Sequence, residues 1–225
     1  ILSLKALNLK RYAKIAIPAY SCGAILDAVE FLGMTPEPVD ISKDHLGVSP
    51  EIVSGTKYEA VIAAHLFGIA APFFKIEHDK LIEDCAQCLG ISNAGRRVGS
   101  MGRLSVSSLY GTKILSTGHG GVICGNDMAS FKRTMDTLTH DKVDAWHPHL
   151  HFLMSDLNAS LGLSQSKKLC SFISRRRQIA AEYLDALGAE IKVAANEMYF
   201  RFIVVPAKSS DISSLIAKFA RAGIE

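Results

Sequence analysis

Long apolar runs are missing from this chain: none reaches the roughly 18 residues that a membrane span needs, so no membrane partner is expected. A secretory signal is missing too, because the opening ILSLKALNLK sets two lysines among leucines at helical spacing with no small-residue cleavage site. Cysteines number five, an odd count in a chain of 225 residues that is too large to depend on staples, which argues against a disulfide framework. Charge of one sign is scarce, since 25 Lys and Arg against 22 Asp and Glu leave a formal +3. That excess is small and scattered. Its densest cluster, Arg175-Arg176-Arg177, sits in a helix-like stretch and reads as a solvated face, so a nucleic-acid surface is not expected. The cytoplasm is the expected compartment. Internal repeats and low-complexity linkers are absent as well.

What the sequence does have is a core. Its 48% hydrophobic content excludes disorder, and its length suits one large domain or a domain with a smaller appendage. Short apolar runs alternate with longer amphipathic ones, the pattern of an α/β chain. KIAIPA (14–19), TPEPVDIS (35–42), AVIAAHLFG (60–68), KLIED (80–84), RLSVSSLY (103–110) and GGVICG (120–125) read as strands, with a helix over 23–33 that Gly33 closes. Continuous rather than alternating apolar character predicts a mostly parallel sheet covered on both faces. From Ser155, a reasonable N-cap, to Leu187 the pattern is helical. MYFRFIVVPA (198–207) then reads as a strand, and a helix capped by Ser210 or Asp211 comes after it. The change of character near Met154 divides the chain into a large domain, 1–154, and a linking helix with an incomplete small domain, 155–225.

Several residues are candidates for chemistry. Lys113 lies just past the apolar strand 103–110 in SSLYGTKILSTGHGG, and a lysine at the rim of a buried sheet is suited to Schiff-base formation with an aldehyde. Ser107, Ser108, Thr112, Ser116 and Thr117, with glycine amides, offer a phosphate cradle; the alternative is an ordinary loop lysine among hydroxyls. Asp84 ends KLIED, where open α/β sheets bind ligands; it is open between pairing with a protonated heterocycle and capping the next stretch of backbone. Cys85-Ala86-Gln87-Cys88 matches a redox CxxC, but Glu83 and Asp84 oppose a stabilised thiolate, and no second pair exists for zinc. His147, His149 and His151 would share one face of a strand, yet no carboxylate or cysteine neighbours them, so a polar loop is the better reading of HPHLH. GTKILSTGHGG is no P-loop, because its lysine precedes the glycines.

Taken in order, these segments resemble the DegT/DnrJ/StrS family of pyridoxal-phosphate sugar aminotransferases. The stretch KIAIPAYSCGAILDAVEFLGMTPEPVDIS is similar to the family's strand, aromatic-Ser/Thr turn and Asp-ended return strand. AAHLFG resembles its His-containing turn, LIEDCAQCLG its Ile-Glu-Asp-x-Ala-Gln signature, and GRLSVSSLYGTKILSTGHGG its Ser-Phe-x-x-x-Lys region. FLMSDLNASLGLSQSKKLCSFISRRRQIAAEYLDAL resembles the helix leading to the small domain.

The resemblance implies a type I aminotransferase fold with pyridoxal 5'-phosphate at a homodimer interface. It implies Lys113 as Schiff-base lysine and proton shuttle, Asp84 against the ring nitrogen, Gln87 near the ring hydroxyl, and Ser108 on the phosphate. An amino acid, usually glutamate, would give its amine to a nucleotide-linked keto sugar. Dehydratase relatives carry histidine in place of the lysine, so Lys113 argues against that branch. The alternatives are a non-catalytic binding or regulatory protein of the same fold and a dithiol protein using Cys85 and Cys88. The chain departs from the family pattern in lacking the Gly-Thr-x-Ala segment and the end of the small domain, which leaves two readings: a fragment of a longer protein, or a degraded relative that holds its cofactor poorly. The connection between Gly68 and Leu81 is short, and HFLMSD offers His151 or Leu153 where the family places asparagine.

Overall fold

The apolar runs pair into one sheet in the computed structural model, which describes residues 1–54, 57–138, 149–187, 192–193, 198–205 and 212–223. A short helix α1 (Leu2–Ala6) precedes β1 (Lys14–Pro18), α2 (Ala24–Phe31), β2 (Thr35–Val39), α3 (Pro50–Val53), β3 (Ala60–Ala64) and β4 (Leu81–Asp84). A small hairpin, β5 (Ser92–Asn93) with β6 (Arg96–Arg97), leads to β7 (Leu104–Ser108), β8 (Gly121–Gly125) and α4 (Met128–Leu138). The last described part holds α5 (Asp156–Ser166), α6 (Leu169–Leu187), β9 (Lys192–Val193), β10 (Val204–Val205) and α7 (Ile212–Arg221).

The main sheet runs β2-β1-β3-β4-β7-β8. Every neighbouring pair is parallel except β7 with β8, which is antiparallel. Both faces are covered, as the unbroken apolar runs require. On one face Ile15, Ile17, Ala60, Ile62, Ala64 and Ile82 pack with Leu4, Ile25 and Val29 of α1 and α2. On the other, Ala16, Val61, Ala63 and Leu81 pack with Val48, Val53, Tyr58 and Phe73. Each large aliphatic side chain so buried stabilises the fold by about 1.5–3 kcal/mol, and these two layers hold the strand ends in register. The register brings the carboxyl ends of β1, β3, β4 and β7 to one edge, where ligands bind in open α/β sheets.

The observed strands are shorter than the runs by one to four residues: β1, β2, β3 and β7 stop where their runs pass into loops at the ligand-facing edge, whereas β4 drops only Lys80 at its opposite end. Gly33 does leave α2 in the left-handed region. The helical stretch from Ser155 divides in two: Lys168 N–H bonds Gln165 O at 2.9 Å, a tightened turn that ends α5 before α6 begins. Ser155 caps α5 as expected, its hydroxyl accepting from Asn158 N–H. Within MYFRFIVVPA, Val204–Val205 pair with Lys192–Val193, whereas Met198 and Phe200 are buried in a third apolar cluster. Residues 206–207 and the expected caps Ser210 and Asp211 lie outside the described residues. The α5 leucines face solvent: Leu157 is 80% exposed and Leu163 71%. Helix α4 was not foreseen, although Asp127 accepts from both Ala129 and Ser130 N–H and so caps it.

Candidate functional site

At the ligand-facing edge lies a cavity of about 500 Å³ whose lining includes Asp84, Gln87, Ser108 and Lys113. These four side chains come from two neighbouring strands and the turns beyond them. Ser107 and Thr112 also line it, Ser116 lines an adjoining hollow, and Thr117 is buried in the turn beyond. The apolar wall is formed by Ile25, Ile62, Leu66, Ile82 and Val106.

Asp84 ends β4. One carboxylate oxygen accepts from Ala86 N–H at 2.9 Å, so the capping reading of this residue holds. Burial in the cavity wall pushes its carboxyl above the usual range, against the pull of that amide and of Lys113 and His65. Gln87 lies one turn on, and its side-chain oxygen accepts from Phe67 N–H at 2.7 Å. Phe67 itself sits in the left-handed region, with its carbonyl accepting from Arg201 N–H. Gln87 thus faces the cavity while fixing a strained turn.

Lys113 projects from a closed arch. Leu109 N–H bonds Gly120 O, Thr117 N–H bonds Leu109 O, and Lys113 N–H bonds Tyr110 O, each at 2.9 Å. Ile114 and Leu115 are buried beneath it and anchor the arch. The Lys113 Nζ lies 5.4 Å from the centre of the Phe200 ring. Ser108, at the end of β7, accepts from Tyr110 N–H at 3.3 Å. Gly120 reverses the chain at φ +139°, and a Cβ there would lie 2.5 Å from Met154 Cε, so the return into β8 needs glycine.

Beneath the cavity floor is a pair that the sequence did not single out as a site. Glu83, fully buried, accepts from His65 Nε2 at 3.1 Å and Gly99 N–H at 3.0 Å through one oxygen. Its other oxygen accepts from Met101 and Gly102 N–H, both at 2.6 Å. Burial alone raises this carboxyl, but the His65 and glycine hydrogen bonds outweigh it and hold the group below its ordinary value. His65 Nδ1 accepts from Ala71 N–H, which leaves the ring hydrogen on Nε2. A charged residue inside an apolar run, with a Gly-rich turn after it, is the signal that could have found this pair.

His65, Glu83 and Cys85 place potential metal ligands within 4.8 Å of one another. Both nitrogens of His65 and both oxygens of Glu83 are already engaged. Burial, then the Glu83 and Asp84 carboxylates, pushes the Cys85 thiol up, far from a thiolate. Cys88 packs within the third apolar cluster. The CxxC therefore behaves as two small apolar residues. Among the three candidate histidines, His147 lies outside the described residues, and His149 and His151 do not line the cavity.

The model of the DegT/DnrJ/EryC1/StrS aminotransferase family matches residues 1–225. A GDP-perosamine synthase of Escherichia coli O157:H7 is 28% identical over 208 residues, covering 85% of this chain and 57% of that protein. The chain thus spans a little over half the length of this curated relative. Among solved structures, DesV of S. venezuelae superposes with a TM-score of 0.86 at 24% identity, over 100% of this chain and 65% of that one. A GDP-4-keto-6-deoxymannose-3-dehydratase superposes with a TM-score of 0.88 at 22% identity, over 100% of this chain and 70% of that one. Likeness at these identities gives the fold alone. The second of these structures is named a dehydratase while the family model is one of aminotransferases, so the fold leaves the chemistry to the side chains.

Proposed function

This chain belongs to the DegT/DnrJ/EryC1/StrS aminotransferase family, and from that premise we propose that it transfers an amino group from an amino acid, glutamate by preference, to a nucleotide-linked keto sugar, with pyridoxal 5'-phosphate as cofactor. The carrying observation is the convergence of Asp84, Gln87, Ser108 and Lys113 on one cavity at the carboxyl edge of the parallel strands.

The donor set suits that cofactor. A flat heterocycle needs apolar walls, which Ile25, Ile62, Ile82 and Val106 supply. Its ring nitrogen needs a carboxylate with a spare oxygen, and Asp84 commits only one to Ala86. Its phosphate needs hydroxyls, which Ser107, Ser108 and Thr112 supply, and its aldehyde needs the Lys113 amine.

In this reading Asp84 holds a proton at the ring nitrogen, and the enclosure that raises its proton affinity when alone strengthens that pairing. Gln87 orients the ring through its hydroxyl oxygen. Ser108 binds the phosphate. Bound there, the cofactor supplies an aldehyde and a ring that spreads the electron pair left when a carbon–hydrogen bond breaks. Lys113 Nζ takes that proton from the donor's α-carbon. A lysine at 113, rather than the histidine that the resemblance gives to dehydratases, favours amino transfer. No feature of the cavity favours the non-catalytic alternative, since each of the four side chains is present and faces it.

The same reading includes a large domain over 1–154, a small domain begun at 155, a homodimer with a shared site, and a cytoplasmic setting. No helix among the described residues is long and apolar enough to cross a membrane. The exposed leucines of α5 supply apolar surface for a second copy. Borohydride reduction of the cofactor-incubated protein, with peptide mass mapping of the product, tests the proposal. A pyridoxyl adduct on Lys113 is expected; an unmodified Lys113 in folded protein overturns it.

A further inference from the structure

We propose that Phe200 is a positioning residue for Lys113: its ring seats the lysine's ammonium whenever Nζ is not bonded to the cofactor. The inference rests on the amino-transfer reading above and goes beyond it, giving a role to a side chain that does not line the cavity.

Three cations surround this one ring. Lys113 Nζ and the Arg201 guanidinium each lie 5.4 Å from its centre and the Arg176 guanidinium lies 5.7 Å away, all within reach of a cation–π contact. Among the described residues, none of the three is in ion-pair contact with a carboxylate. Asp84 attracts Lys113 only from across the cavity. The ring face is therefore the contact that holds this amine. It holds the ammonium and not the neutral amine, which carries no net charge for the ring's quadrupole to attract.

The seat is fixed from several sides. Phe200 is buried and packs with Ile114, the neighbour of Lys113, in the third apolar cluster. Arg176 on α6 donates from Nη1 to Tyr199 O at 3.3 Å and to Phe200 O at 3.2 Å. Arg201 N–H donates to Phe67 O at 3.1 Å, and Phe67 N–H donates to the Gln87 side chain at 2.7 Å. The segment 199–201 thus ties the ring to the same turn that Gln87 fixes, which sets the resting amine at a defined place relative to the cavity. Condensation of Lys113 with an aldehyde releases one water and the ammonium's extra proton and draws Nζ off the ring. Seat and cofactor accordingly compete for the amine.

That competition can be read in the full protein with two probes. Pyridoxal 5'-phosphate is titrated in, reduced with borohydride and mapped by mass, giving the concentration that half-fills Lys113 with adduct. Pyridoxine 5'-phosphate, which lacks the aldehyde and leaves the ammonium on the ring, is followed by calorimetry. Phe200→Leu keeps an apolar side chain without a π face and is expected to lower the half-filling concentration by about threefold to tenfold, the loss of one cation–π contact. Phe200→Tyr restores the face and is expected to match the parent. Arg201→Gln changes an exposed side chain, keeps the backbone bond to Phe67 and removes a repelling charge from the seat. It is expected to raise the half-filling concentration by roughly twofold. Pyridoxine 5'-phosphate is expected to bind the parent and every variant alike, whereas a merely structural role for Phe200 would weaken both probes. An adduct on Lys113 whose half-filling concentration is unchanged or raised in Phe200→Leu overturns the seat alone; if that variant does not fold, an unchanged value in Arg201→Gln does so. No adduct in the parent protein overturns the amino-transfer reading itself.

Discussion

At the scale of single residues, Glu83 does more than its place in a signature suggests. It collects four hydrogen bonds from His65, Gly99, Met101 and Gly102 in a site with no water-facing surface. Replacement by glutamine keeps the shape but turns one acceptor oxygen into a donor. In one orientation the new NH2 faces His65 Nε2 and Gly99 N–H; in the other it faces Met101 and Gly102 N–H. Either choice orphans two buried donors, at about 1–3 kcal/mol each. Glu83→Gln is therefore expected to lower unfolding free energy in urea by roughly 2–4 kcal/mol. A change below about half a kcal/mol would contradict the assignment of this pair as the clamp beneath the site.

At the scale of elements, the arch over 109–120 and its return into β8 place Lys113, and they depend on close packing against α5. Gly120 abuts Met154, Gly162 would meet Thr117 Cγ2 at 2.9 Å if it carried a Cβ, and Asn158 donates to His119 O at 3.0 Å. Gly120→Ala is expected to cost about 1–3 kcal/mol in chemical denaturation, by adding backbone strain and a clash. Pairing it with Met154→Ala should return only the clash part, so the double variant stays less stable than Met154→Ala alone.

The central strands β1 and β3 were legible as continuous apolar runs, β2 and β7 only as short mixed runs between turn residues, and Lys113 and Asp84 were legible because they stand at or just past the ends of such runs. The hairpin of β5 and β6 was not. Four paired residues, Ser92, Asn93, Arg96 and Arg97, carry no hydrophobic period. The clamp of Glu83 with His65 also escaped, since three of the four groups on Glu83 are backbone amides that no residue type advertises. Apolar spacing in 155–166 predicted a covered helix face, yet none of α5's residues is buried. Periodicity states that a face exists, not what lies against it.

At the scale of the whole molecule, two adjacent carboxyls respond to acid in opposite directions. The Asp84 carboxyl is raised in the folded chain by burial, so its contribution to stability is complete below its unfolded value and is lost as pH rises through the folded one. The Glu83 carboxyl is lowered, so its contribution is present above its unfolded value and is lost as pH falls through the folded one. Acidifying the cofactor-free protein from neutral should first recover stability at Asp84 and then lose it at Glu83. Asp84→Asn removes the first response and keeps the second, which urea midpoints measured across the acid range will separate. If both proteins trace the same curve, the enclosure of Asp84 is not felt by the fold.

The uncovered leucines of α5 make the amount of protein a thermodynamic variable. If a second copy shelters Leu157 and Leu163, folding and pairing become linked by mass action, and the native state gains with every increase in concentration. The melting temperature should then climb by several degrees over a roughly hundredfold rise in chain concentration, and Leu157→Glu with Leu163→Glu should flatten that dependence. Dilution would act on such a protein as a mild denaturant, dismantling the cavity without any change in solvent.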